Sequence, residues 1–143
     1  MIIDTHSHLN FNAYKKDLDE VIKRTLQNNV WMINVGTKYE TSKQAVQLAE
    51  KYKEGVYSAI GLHPIYAGAE FQKIKTDPDE GEFLIKEKSF DKEKYRELAK
   101  SKKVIAVGEI GLDYYYKPKT NVKLEQFKEK QKEFLLQQLD LAE

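Results

Sequence analysis

Cysteine is absent from the 143 residues. That excludes a disulfide framework, a thiolate metal site and a cysteine nucleophile. Charge of one sign is also missing: 24 Lys and Arg balance 23 Asp and Glu, for a formal net charge of +1. A global basic surface, the usual footprint of a nucleic-acid binding module, is therefore excluded, although an enzyme that grips nucleotides locally is not. Apolar runs are only a few residues long, far short of a membrane span. No basic segment followed by an apolar stretch opens the chain, so no secretory leader is expected and the cytoplasm is the expected location. No Gly-x-Gly-x-x-Gly run follows the first apolar segment, which argues against a dinucleotide-binding fold.

What is present is the balance of a folded protein, with 41% hydrophobic and 33% charged residues. Short apolar segments alternate with amphipathic ones. Met1–Thr5 begins a strand that ends in Asp4, His6 and His8. Leu18, Val21, Ile22 and Leu26 share one face of a helix over Asp17–Gln27, and Asn28-Asn29 can stop it, since Asn tolerates the left-handed conformation. Val30–Val35 is a second strand. Thr41 followed by Gln44 has the spacing of a capping box, opening a helix that lines up Ala45, Leu48, Ala49 and Tyr52. Gly55 breaks it before a third strand, Val56–Ile60. Residues 66–90, with Asp77-Pro78-Asp79-Glu80-Gly81, form an irregular excursion. Asp91 starts a short helix presenting Tyr95, Leu98 and Ala99. Val104–Val107 is the fourth strand, and Val122–Ala142 the last helix, with Phe127, Phe134, Leu135, Leu139 and Ala142 expected inside.

Strand and helix thus alternate four times, the pattern of α/β parallel (β/α) units. Polar chemistry follows each strand, as it does on the active face of a (β/α)₈ barrel. A complete barrel needs roughly 250 residues, so four of eight units, a half-barrel, are expected here.

All three histidines fall at predicted strand ends. Residues two apart on a strand point the same way, with Cα atoms roughly 6.5 Å apart, so His6 and His8 can hold one ion. Asp4 shares their parity and can ligate, or accept a histidine's second N–H. Glu109, between Gly108 and Gly111, is a carboxylate able to complete a ligand set or bridge two ions, and its small neighbours permit close backbone approach. Pro64 holds His63 extended, where it can meet a phosphate or a metal-bound water. Asp113 can hold its turn, bind substrate or support a ligand. Ser7 has no base partner that the metal does not already claim. Tyr114, Tyr115 and Tyr116, followed by Lys117 and Lys119, can stack on bases or simply pack a loop, with Tyr114 turned inward. Gln131 and Gln138, seven apart on one helix face, can hydrogen-bond to the barrel bottom or to loops, and carry no assigned chemistry.

Three segments, Ile3-Asp4-Thr5-His6-Ser7-His8-Leu9, Gly61-Leu62-His63-Pro64 and Gly108-Glu109-Ile110-Gly111-Leu112-Asp113-Tyr114, occur in this order, with a softer match from Gln131 through Gln138 to Ala142. With them the chain resembles the TatD family of metal-dependent deoxyribonucleases, in the amidohydrolase-like group of TIM barrels. The resemblance implies two divalent ions (Mg²⁺, Zn²⁺ or Mn²⁺), with His6, His8 and Glu109 as ligands. It implies catalytic roles for Glu109, His63 and Asp113, with His63 near the substrate phosphate. It implies hydrolysis of phosphodiester bonds in DNA, as a 3′–5′ exonuclease; the alternatives are a D-aminoacyl-tRNA deacylase or other amidohydrolase-type metal hydrolase, and a non-catalytic half-barrel interaction module. The family's further ligands, two histidines and an aspartate from strands five, six and eight, have no counterpart. Residues 1–143 are accordingly expected to be the N-terminal half of such a hydrolase domain, with little activity alone and a tendency to self-associate. The stretch from Phe71 to Phe90 is longer than a plain family connection.

Overall fold

β-branched and aromatic residues dominate the segments that become strands. In the computed structural model, which describes residues 1–68, 89–115 and 117–143, these are β1 (Ile2–Ser7), β2 (Val30–Val35), β3 (Val56–Ile60) and β4 (Val104–Val107). Between and after them lie α1 (Leu18–Gln27), α2 (Tyr39–Glu50), α3 (Lys92–Ala99) and α4 (Asn121–Ala142), with single 3₁₀ turns at Asn12–Tyr14 and Pro64–Gly68. The strands are all parallel and form one sheet in the order β1-β2-β3-β4, the arrangement of a partial TIM barrel. Among the described residues no helix is long and apolar enough to cross a membrane. Most of the excursion expected at 66–90, including its turn-rich cluster, and Tyr116 lie outside the described residues.

Helix ends follow local chemistry. Asn29 closes α1 with φ 57°, the left-handed state anticipated for the Asn pair, and Gly55 leads into β3 with φ 80°. Asp91 caps α3 by accepting the Lys94 N–H. The α2 start differs from expectation. Thr41 is not the cap but lies in the first turn, where its hydroxyl accepts the backbone N–H groups of Thr37 (2.9 Å) and Lys38 (3.0 Å). A threonine side chain reaches back to the two donors that precede the helix, so the helix begins two residues before the threonine.

Two apolar clusters lie between sheet and helices. One joins Ile22 of α1 and Leu48 and Ala49 of α2 to Met32 and Val56 of the sheet. The other gathers Val46, Ile60, Leu62, Tyr66, Phe90, Tyr95 and Phe134. Tyr95 buries its ring against Phe90 and donates its hydroxyl proton to the Gly61 carbonyl at 3.2 Å. Three residues expected inside are exposed: Ala99, Leu139 and Ala142; Leu135 is half-buried. On α4 the buried stripe is instead Phe127, Gln131, Phe134 and Gln138. Spacings of four, three and four make one continuous helical face, and choosing its members by apolarity passes over the two amides. β1 and β4 are the sheet edges, and Ile2 (66%), Ile3 (48%) and Ile105 (51%) are exposed there.

Candidate metal centre

The site forms where β1, β3 and β4 end. Its framework is a buried amide. Asn34 of β2 accepts the Leu9 N–H (3.0 Å) on its Oδ1, and the Ser7 hydroxyl lies 3.2 Å from that oxygen and 3.0 Å from the Ile33 carbonyl. Both are acceptors, so the Ser7 hydroxyl is a donor committed to the sheet and not a free nucleophile.

β1 slips by one residue against β2: Asp4 pairs with Met32, but Ser7 pairs with Asn34. Three steps on one strand against two on the other undo the expected parity between Asp4 and the histidines. Asp4 shares its register face with Met32, which is buried against α1 and α2. Its carboxylate accepts the backbone N–H of His6 at 3.1 Å, not an imidazole N–H. Asp4 thus shapes the bend that presents His6, and stands outside the donor cluster.

That cluster is His6, His8 and Glu109, whose ligating atoms all lie within 4.8 Å of one another. The two Nε2 atoms are 3.2 Å apart, and Glu109 Oε2 lies 3.5 Å from His6 Nε2. With metal–nitrogen bonds of about 2.0–2.1 Å, octahedral to tetrahedral angles require nitrogens about 2.9–3.4 Å apart. The observed spacing fits one ion. The tautomer of His8 fits as well: its Nδ1 is 3.0 Å from the Val35 carbonyl, which only accepts, so the neutral ring is protonated at Nδ1 and keeps the Nε2 lone pair for a ligand. Phe11 stacks on the same ring, with centroids 4.5 Å apart and planes at 20°.

His63 is arranged in the opposite sense. Its Nδ1 accepts the Ile65 N–H at 3.1 Å, so the neutral ring carries its proton on Nε2, which faces Glu109 Oε1 at 3.5 Å. It reads as an orienting donor. The hydrogen bond from His63 holds the Glu109 carboxyl below its ordinary range, against burial, which pushes it up; when protonated, His63, His6 and His8 lower it further by charge attraction. The close approach anticipated around Glu109 is present, but it is Gly61 that requires it. A Cβ there would lie 2.8 Å from the Gly108 carbonyl carbon, whereas a Cβ on Gly108 would meet nothing nearer than 3.8 Å.

Asp113 is not in the donor cluster. Its carboxylate accepts the Tyr115 N–H at 2.8 Å, and its backbone is held by Gln131. Tyr114 turns toward Phe127, while Tyr115 is 82% exposed. The two glutamines bind the loops, not the barrel bottom. Gln138 meets both Leu62 N (2.6 Å) and Leu62 O (3.1 Å), and Gln131 meets Asp113 N, Asp113 O and Pro64 O. Sequence reasoning missed Asn34, Phe11 and the function of these amides. The available signals were an asparagine inside an otherwise apolar strand and two glutamines in phase with Phe127 and Phe134.

Residues 3–143 match the family model described as TatD related DNase. An uncharacterized metal-dependent hydrolase of Bacillus subtilis, YabD, is 34% identical over 117 residues, covering 81% of this chain and 39% of the relative. A similarly named hydrolase of Mycoplasma genitalium is 30% identical over 141 residues, 98% of this chain and 45% of the relative. The human deoxyribonuclease TATDN3 is 28% identical over 147 residues, 99% of this chain and 47% of the relative. The chain therefore spans less than half the length of these relatives. A match over residues 3–143, with three strand ends carrying the motif side chains to one place, establishes that the chain belongs to the TatD family.

Proposed function

We propose that this chain supplies half of the active site of a divalent-metal-dependent hydrolase that cleaves phosphodiester bonds in DNA. The observation that carries the reading is the convergence of His6, His8 and Glu109 within 4.8 Å, with the His8 lone pair directed by Val35. A bound divalent ion supplies Lewis acidity toward a phosphoryl oxygen and a water nucleophile at neutral pH. The residues of this chain do the rest of the local work. His6 and His8 present Nε2 donors, and Glu109 presents a carboxylate whose orientation His63 fixes through Oε1. We assign His63 Nε2–H a second role as donor to a phosphate oxygen of the substrate. Asp113 holds the turn beside the site by accepting the Tyr115 N–H.

DNA as substrate is supported by the names of the family model and of the human relative. We assign 3′–5′ exonucleolytic release of nucleotides as the finer activity. Residues 1–143 are the four βα units of one half of the hydrolase domain; the greater length of the relatives and the two open sheet edges support this. A second ion would draw its remaining ligands from the other half.

The test is His6→Ala in the complete hydrolase, with nucleotide release from DNA and bound metal measured on the same preparation. Loss of a direct ligand should lower release by at least about 100-fold, beyond the 10–100-fold typical of residues that only support a ligand. Undiminished release with unchanged metal content refutes the assignment.

A further inference from the structure

We propose that Gln131 is a positioning residue that sets the separation of His63 and Glu109. The consequence for ligand geometry rests on the metal-site reading above; the clamp itself does not. His63 belongs to the loop after β3 and Glu109 to the loop after β4, and their facing atoms are 3.5 Å apart. Near the sheet these loops are held where Gly108 N–H donates to Ile60 O, Glu109 N–H to Gly36 O and His63 N–H to Thr37 O (2.7 Å), so both backbones rest on Gly36-Thr37. Farther out, on the side of α4, one buried amide joins the two loops directly. Gln131 Nε2 donates to Pro64 O (3.1 Å), next to His63, and to Asp113 O (2.7 Å); its Oε1 accepts Asp113 N–H (2.8 Å).

A glutamine amide has the donor and acceptor of a peptide group. Its paired bonds to Asp113 fix that turn in rotation as well as distance, while the second N–H ties in the His63 loop. Gln131 is fully buried, so water does not compete for these bonds. Gln138, two turns along the same face, is an internal contrast. It is equally buried and makes the same paired bonds, but both go to Leu62, so it anchors one loop and couples nothing. With His63 held against Oε1, the other carboxylate oxygen of Glu109 faces His6. If the His63 loop drifts from the Asp113 turn, the carboxylate is free to rotate and that alignment is lost.

The experiment compares Gln131→Met and Gln138→Met, each of which keeps length and volume and removes the hydrogen bonds. Zn²⁺ affinity is read by calorimetry and folding by urea titration. Both variants should lose stability. Gln131→Met should in addition weaken Zn²⁺ binding about tenfold or more, the range seen when a ligand's support is removed, and Gln138→Met should weaken it clearly less. A loss in Gln131→Met no larger than that in Gln138→Met overturns the proposal. Side-chain amide exchange of Gln131 in the unmutated chain provides a second measure that survives misfolding of a variant. Its Nε2 protons should exchange far more slowly than those of exposed Gln126, and exchange at the same rate as Gln126 overturns the clamp. If the unmutated chain takes up no Zn²⁺, the metal-site reading fails, and the exchange measurement decides the clamp separately.

Discussion

Replacing Gly61 by alanine should damage both stability and the metal site, and the structure sets the size of the effect. The new Cβ would lie 2.8 Å from the Gly108 carbonyl carbon, 2.9 Å from its oxygen and 2.9 Å from Ile110 Cγ2. Carbon contacts are comfortable at about 3.5–4.0 Å, so roughly 0.6–1.2 Å of clearance must open. Two of the three atoms are backbone and cannot rotate away. Gly61 cannot easily retreat either. The Ser42 hydroxyl bridges its N–H (3.2 Å) and carbonyl (3.3 Å), and the Tyr95 hydroxyl donates to that same carbonyl. The strain therefore falls on Gly108 and moves Glu109 with it. Overpacking costs about 1–3 kcal/mol, and a backbone obstacle puts this case near the upper end. That is a large share of the 5–15 kcal/mol typical of a folded domain. Gly108→Ala is the matched control, because its Cβ would meet only Ala59 Cβ at 3.8 Å, an ordinary contact. It should change stability by no more than about 1 kcal/mol in either direction. Urea titration of both variants, with Zn²⁺ calorimetry, gives the ranking. If Gly61→Ala is as stable as the unmutated chain, or Gly108→Ala is the worse of the two, the close-approach reasoning is wrong.

Glu109 is held below its ordinary 4.5, so its carboxylate contributes stability that is fully present above that value and lost as pH falls through the lowered one. Metal-free Glu109→Gln should therefore show a shallower loss of stability below pH 4.5 than the unmutated chain in urea titrations across pH, and an identical slope would count against the His63 interaction. Thr41→Val strips the acceptor from two backbone N–H groups and should cost about 1–3 kcal/mol by urea midpoint, while Thr41→Ser keeps most of it. Asn29→Ala should cost about 1–2 kcal/mol because of its φ of 57°, and Asn29→Gly should be nearly neutral; equal midpoints for the two would refute the left-handed strain.

The placement of elements was readable because it is local. Val30–Val35, Val56–Ile60 and Val104–Val107 are bounded by side-chain type and by Asn29, Gly36 and Gly55, and the structure keeps those bounds. His6 and His8 were readable as a pair from their spacing at the end of β1, although the strand stops at Ser7 and His8 is held beyond it against the Val35 carbonyl. The parity argument did not carry over to Asp4, because parity assumes an unbroken register and the register slips between Asp4 and Ser7, where Asp4 accepts the His6 N–H. Leu139 and Ala142 failed because apolarity was used to choose the buried face of α4, where two amides are buried instead.

The sequence by itself determined the four strand–helix units, the presence of a histidine pair, and a glutamate and a third histidine at strand ends. Each depends on periodicity or on spacing of a few residues. Only the tertiary structure decided that Glu109 stands 3.5 Å from both His6 and His63, that His8 and His63 carry their protons on opposite nitrogens, and that α4 holds the loops. Those outcomes depend on partners far along the chain: Val35 for His8, Gly108 for Gly61, Leu62 for Gln138. A buried polar group is stable only if it meets its complement, and that complement here is mostly backbone, which every residue carries and no sequence pattern marks.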